Sequence, residues 1–177
     1  MQTQVSQELL KIISYARDEA MRTGDYAIGT DHLLLGILRH ADNDACASLK
    51  ALGVDLAELK TTVEGSLFRP SGIAYGEADK LTFSRGAQNT LNLCIIEATM
   101  SGADKIFSTH LLLAIAGSSG SAGLGYLKSM GIDHSVLSAY MKGNGLLAAK
   151  IVDAEENAAA HPMSILRIIS SPDKIVS

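Results

Sequence analysis

The sequence contains no tryptophan, and its aromatic residues are five tyrosines and three phenylalanines. Any core must therefore be aliphatic, built from Leu, Ile, Val, Ala and Met, a composition that suits helices. Proline is nearly absent as well. Pro70, Pro162 and Pro172 are the only three, so the stretch before Pro70 and the long span to Pro162 carry no proline breaks. Cys46 and Cys94 stand alone in apolar stretches, without CxxC or Cys/His spacing. We read them as buried free thiols of a reducing compartment rather than as a disulfide. No run of Lys and Arg occurs, and the net charge of -4 argues against a nucleic-acid surface. No apolar run approaches the ~18 residues that cross a membrane. The stretch from Met1 to Gln7 is polar and unlike a secretory signal. These features predict a cytoplasmic protein. Neither a G-x-x-x-x-G-K-[ST] phosphate loop nor a G-x-S-x-G nucleophile elbow is present, so no enzyme activity, cofactor or metal is expected.

What the chain does have is globular balance, with 47% hydrophobic and 19% charged residues, and an internal repeat. Shifted by seventy-eight positions, the sequence matches itself without a gap from Gln7 to Val63. Glu19-Ala20 returns as Glu97-Ala98, Gly24 as Gly102 and Ile28 as Ile106. His32-Leu33-Leu34-Leu35 returns as His110-Leu111-Leu112-Leu113, and Gly53 and Asp55 as Gly131 and Asp133. Fourteen identities result, where chance would supply about four.

Each unit reads as four helices. Leu9, Leu10, Ile13, Ala16 and Ala20 recur at helical spacing after Ser6, a suitable N-cap, and Gly24 lies where a C-terminal glycine ends a helix. Thr30 is placed to cap a second, buried helix from His32 to about Leu38, with Asp31 in its first turn. A third runs from about Asp44 to Leu52 and stops at Gly53; Asp55 caps a fourth, from Leu56 to about Leu67. In the second unit Ser84, Ser108, Ser121 and Asp133 take the capping positions, and the last helix extends to about Leu147. The expected architecture is all-α: two pseudo-symmetric four-helix repeats, residues 5–68 and 83–147, joined by a linker at 69–80 and packed as one eight-helix domain. Residues 148–177 form a tail outside the repeat. Within it 153–160 could extend a helix, while 164–176 reads either as an extended arm or as a flexible end.

The phrase Tyr15-Ala16-Arg17-Asp18-Glu19-Ala20, then Gly24, then Ile28-Gly29-Thr30-Asp31-His32-Leu33-Leu34-Leu35-Gly36 resembles the double N-terminal repeat of Clp-family AAA+ unfoldases. That family's signature is close to E-A-x-x-x-G-x-x-x-I-G-T-E-H-L-L-L-G-L, and the resemblance covers roughly residues 4 to 145. It implies a Clp N-type domain that docks substrates or adaptor proteins for an ATP-driven ring and its protease. In Gram-positive relatives the acidic residue of each G-T-E-H motif, with the Ser or Thr opening the first helix, helps hold phosphorylated arginine. On this sequence the resemblance assigns Ser6 and Asp31 to a first site. A second would use Ser84, but there Phe107-Ser108-Thr109 replaces Gly-Thr-Glu, and a neutral Thr109 forfeits the charge-assisted bond. A working second site is not expected. The ring is missing from the sequence, and the tail does not resemble the start of an ATPase. The chain reads either as the front end of a longer unfoldase or as a stand-alone repeat protein, with a slight tilt toward the free-standing form. The alternative function is an accessory protein that regulates a Clp complex without contacting substrate.

His32 and His110 open equivalent helices beside capping residues, which marks them as structural rather than metal-binding. Glu19 and Glu97 fit structural pairing, Glu19 with Arg22 at i+3. The loop Gly117-Ser118-Ser119-Gly120-Ser121 is a plain interhelical connection. A shallow groove between the two halves is the expected contact surface.

Overall fold

The computed structural model describes residues 4–67, 73, 75–148 and 163–170. Helix α1 (Gln7–Thr23) starts where Ser6 Oγ accepts the Leu9 N–H at 3.1 Å, and it ends at Gly24 with φ 79°. Gly24, Gly53, Gly102 and Gly131 all adopt left-handed backbone. The two glycine stops of each unit therefore recur in structure as in sequence, because only glycine enters that region without Cβ strain. Helix α2 (Thr30–His40) buries Leu33, Leu34, Leu35 and Ile37. Helix α3 (Asp44–Ala51) is capped by Asn43, whose side chain accepts from Cys46 N at 2.8 Å. Helix α4 (Leu56–Leu67) follows Asp55, which accepts from Ala57 and Glu58 N–H groups. The second unit repeats the plan with α5 (Arg85–Met100), α6 (Ser108–Ala116), α7 (Ala122–Ser129) and α8 (His134–Gly143). Ser84, Ser121 and Asp133 cap α5, α7 and α8 as expected.

Two expectations need correction, and two gain detail. Thr30 and Ser108 are the first helical residues of α2 and α6, not their caps; Gly29 and Phe107 hold the cap positions, and a histidine ring does the capping. Helix α8 stops at Gly143, short of Leu147, because Asn144 and left-handed Gly145 end it. Part of the linker is ordered as a short 3-10 helix (Tyr75–Lys80). The body is all-α as expected, with two-residue strands added at the junctions of the units.

Those strands tie the two units together. Strand β1 (Gln4–Val5) pairs in parallel with β4 (Lys105–Ile106), and β2 (Ala27–Ile28) pairs in parallel with β3 (Thr82–Phe83). Shifting by seventy-eight residues turns one pair into the other. Each unit thus lends its entry strand to its partner, and the flanking bonds match: Ser6 N donates to Ile106 O at 3.1 Å, Ser84 N to Ile28 O at 3.0 Å. The helices interlock in the same sense. Helix α3 packs on α6 and α7 on α2, so α2 and α6 become the shared centre of one aliphatic core. Contact is tightest where α1 crosses α2, with Gly36 against the backbone of Ile12 and Ala16.

Part of the tail joins this body. Strand β5 (Met163–Ser164) pairs antiparallel with β1, and α9 (Ile165–Ser170) buries Ile165 and Ile168, packing on α5. Residues 153–160 and 171–176 lie outside the described residues.

Both cysteines are buried and unpaired with each other. Desolvation raises the Cys46 thiol from 9.0 to about 11 and pushes Cys94 higher still. Folding therefore favours the protonated thiols. Their contribution to stability is intact below the unfolded value near 9.0 and drains away as pH climbs through about 11. We expect denaturation midpoints to stay flat near neutral pH and fall across that alkaline window. Iodoacetamide should label either thiol only as fast as the protein opens.

Candidate functional site

Strand exchange decides which sequence-marked residues meet. The N-terminus of α2 lies beside that of α5, across the junction, and that of α1 beside α6. Asp31 and Ser84 therefore line one cavity of about 430 Å³ between the halves, together with Asp25, Leu67, Gly86 and Ser121. The sequence-based pairing of Ser6 with Asp31, and of Ser84 with Thr109, is corrected accordingly: the partners are swapped between units.

Three helix starts converge on this cavity: α2 with Thr30 and Asp31, α5 with Ser84 and Gly86, and α7 with Ser121 and Ala122. Thr30 Oγ1 accepts the Gly123 N–H at 3.0 Å, fastening α7 to α2. Ser84 and Ser121 hydroxyls cap their own helices, accepting from Ala87 N at 3.1 Å and Leu124 N at 3.2 Å. Asp31 Oδ1 accepts the His32 N–H at 2.9 Å, and its side chain keeps 17% exposure. Asp25, in the loop before α2, receives the Thr23 hydroxyl at 3.2 Å. Helix starts offer N–H groups and a positive dipole end, while Asp31 and Asp25 supply negative charge. A cavity with both signs suits a ligand that carries an anion and a cation close together.

The equivalent region of the other half is closed. Glu8 Oε1 accepts the Ser108 N–H at the start of α6 at 2.9 Å, so a carboxylate of the chain itself occupies that helix start. Position 8 corresponds to Gly86, which has no side chain to reach the matching N–H of Thr30. Thr109 is fully buried, and its hydroxyl donates to Leu146 O at 3.2 Å. Ser6 is likewise fully buried, its oxygen spent on the α1 cap. Neither can reach a ligand in this arrangement. Sequence reasoning missed Asp25, Gly86, the α7 start and Glu8. Only the seventy-eight-residue alignment of Glu8 with Gly86 hinted at the difference.

The two histidines are structural. His32 Nδ1 accepts from Gly29 N and His110 Nδ1 from Phe107 N, both at 3.0 Å. The opposite nitrogen then carries the proton. His110 Nε2 meets Leu147 O at 3.1 Å, and His32 Nε2 lies 3.0 Å from Thr23 Oγ1 and 3.4 Å from Asp25 Oδ2. With both ring nitrogens engaged, neither ring has a lone pair left for a metal. Among the described residues no three metal-ligating side chains cluster, and no helix there is long and apolar enough to cross a membrane. Glu19 bonds Arg22 as expected, whereas Glu97 turns to His134 at 2.8 Å.

A duplicated helical body with interlocked halves and a polar cavity at their junction is the class of protein defined here. The profile of the Clp repeat N-terminal domain matches residues 4–130, and the chain belongs to that family. It is 31% identical over 128 residues to the chloroplastic chaperone protein ClpC1 of Oryza sativa subsp. japonica, covering 72% of this chain and 14% of that protein. It therefore spans about one seventh of the length of such relatives. Two solved structures share the fold. The Hsp104 N-terminal domain from Candida albicans has TM-score 0.67 at 14% identity, covering 85% of this chain and 99% of that one. The ClpD N-terminal domain from Arabidopsis thaliana has TM-score 0.62 at 16% identity, covering 79% and 93%.

Proposed function

We propose that this chain is a non-catalytic docking domain of a cytoplasmic Clp unfoldase system, receiving substrates or adaptor proteins, and that the junction cavity takes a phosphorylated arginine side chain. In this reading Asp31 accepts the guanidinium, and the N–H groups opening α2, α5 and α7 receive the phosphoryl oxygens. One observation carries it: the fold brings Asp31 and Ser84 to one cavity and leaves Gly86 there in place of a blocking side chain. The other half, plugged by Glu8 and lacking a carboxylate at Thr109, offers no second receptor. The alternative, an accessory protein that regulates a Clp complex without contacting substrate, would leave this cavity empty.

Calorimetry with free phosphoarginine tests the site. One equivalent should bind, and Asp31→Ala should weaken it at least about tenfold, the loss expected of a charge-assisted pair. Absence of heat with the unaltered protein would retire the phosphoarginine site.

A further inference from the structure

The two units differ on their outer faces as well. In the first, Arg22 on α1 bonds Glu19 and spans the groove to Glu64 on α4 at 3.7 Å, with Lys60 reaching Glu64 at 3.9 Å. The corresponding positions in the second unit are Met100, Glu97, Lys142 and Ser138. A methionine has replaced the arginine, and a lysine the glutamate it met. Glu97 has turned instead to His134. The groove between α5 and α8 is consequently open, with a volume of about 270 Å³, lined by Glu97, Met100, His134, Ser138, Lys142 and Leu147, the Glu97 carboxylate being engaged by His134. Met100 is 80% exposed, and Lys142 has no ion-pair partner among the described residues.

The surroundings extend this face. Ile96, one turn before Met100, is 52% exposed, and α5 carries no charge between Arg85 and Glu97. Exposed apolar side chains grouped around a groove mark an interaction surface more often than scattered ones do. The unpaired lysine decides the chemistry, because an occupant that supplies the missing carboxylate restores the cross-groove pairing found in the first unit.

We infer that the α5–α8 groove is a second docking surface, separate from the junction cavity, for an acidic segment of a partner protein that inserts an apolar side chain between Met100 and Leu147 and sets a carboxylate on Lys142. This inference rests on the docking reading only in its general form. It does not depend on phosphoarginine.

Fluorescence anisotropy with the full chain tests it, using a labelled amphipathic peptide of leucines and glutamates and its glutamine and lysine counterparts. The glutamate peptide should bind and the glutamine peptide bind at least about tenfold more weakly. Lys142→Glu should reverse the preference toward the lysine peptide. The double change Met100→Arg with Lys142→Glu rebuilds the bridge of the first unit and should abolish binding of all three. Both positions are exposed, so thermal melts of the variants should match the parent. Asp31→Ala should leave peptide affinity unchanged, which keeps failure here distinct from failure of the junction cavity. Equal affinity for the three peptides, no binding of the glutamate peptide, or a signal that follows self-association in sedimentation would each overturn the inference.

Discussion

Gly36→Ala should cost about 3 kcal/mol or more, a large part of the stability of a domain this size. A Cβ at Gly36 would stand 2.4 Å from Ile12 O and 3.1 Å from Ala16 N. Both are backbone atoms of α1, which cannot step aside without moving the helix. The strain would spread through the core, because α1 and α2 carry Leu9, Ile12, Ile13, Leu33 and Leu34, all fully buried. Urea denaturation gives the number directly. The second unit supplies the control: its residue at this place is Ala114, fully buried, so the α5–α6 crossing already accommodates the methyl. Ala114→Gly should lose only about 1 kcal/mol, the usual helix penalty for glycine. Equal, small effects at both positions would mean that α1 and α2 separate easily.

Gly86→Glu should leave the fold intact and remove phosphoarginine binding. Nothing lies within 4 Å of a Cβ built at Gly86, so the side chain has room. It would reproduce in the first cavity what Glu8 does at the start of α6, where its carboxylate accepts the Ser108 N–H at 2.9 Å. A carboxylate in that place takes the N–H meant for the phosphoryl group and repels the anion as well. Like-charge juxtaposition costs several kcal/mol, so affinity should fall more than about a hundredfold. Stability should hold or rise slightly, because an acidic residue in the first turn favours a helix by about 0.3–1 kcal/mol. A variant that melts normally and binds as before would show that the ligand does not touch the start of α2.

Much of this was legible in the residues. The helical spacing of Leu9, Leu10, Ile13 and Ala16, the stops at Gly24 and Gly53, and the caps at Ser84, Ser121 and Asp133 are local signals. Local geometry honours them. The repeat itself located the halves and the family. What stayed hidden is long-range. Two-residue strands such as Ala27–Ile28 are too short to show an alternating pattern, so the exchange of strands between units left no trace in sequence. That exchange is what regroups Asp31 with Ser84 and sends Ser6 to the opposite junction. Ser6 and Thr109 look like available hydroxyls in a list of residues. Burial and a bond to Leu146 O take Thr109 out of reach, and no propensity predicts that. Gly29 and Phe107 carry no capping side chain of their own, because the capping group is the imidazole three residues further on.

The crossed pairing of β1 with β4 and of β2 with β3 makes the covalent connection between the units almost redundant. A protease nick between residues 68 and 74 would leave two fragments that each still need the edge the other presents. They should stay associated through gel filtration and reassemble from denaturant when mixed, whereas either fragment alone would have to find a second copy of itself to complete its ladder.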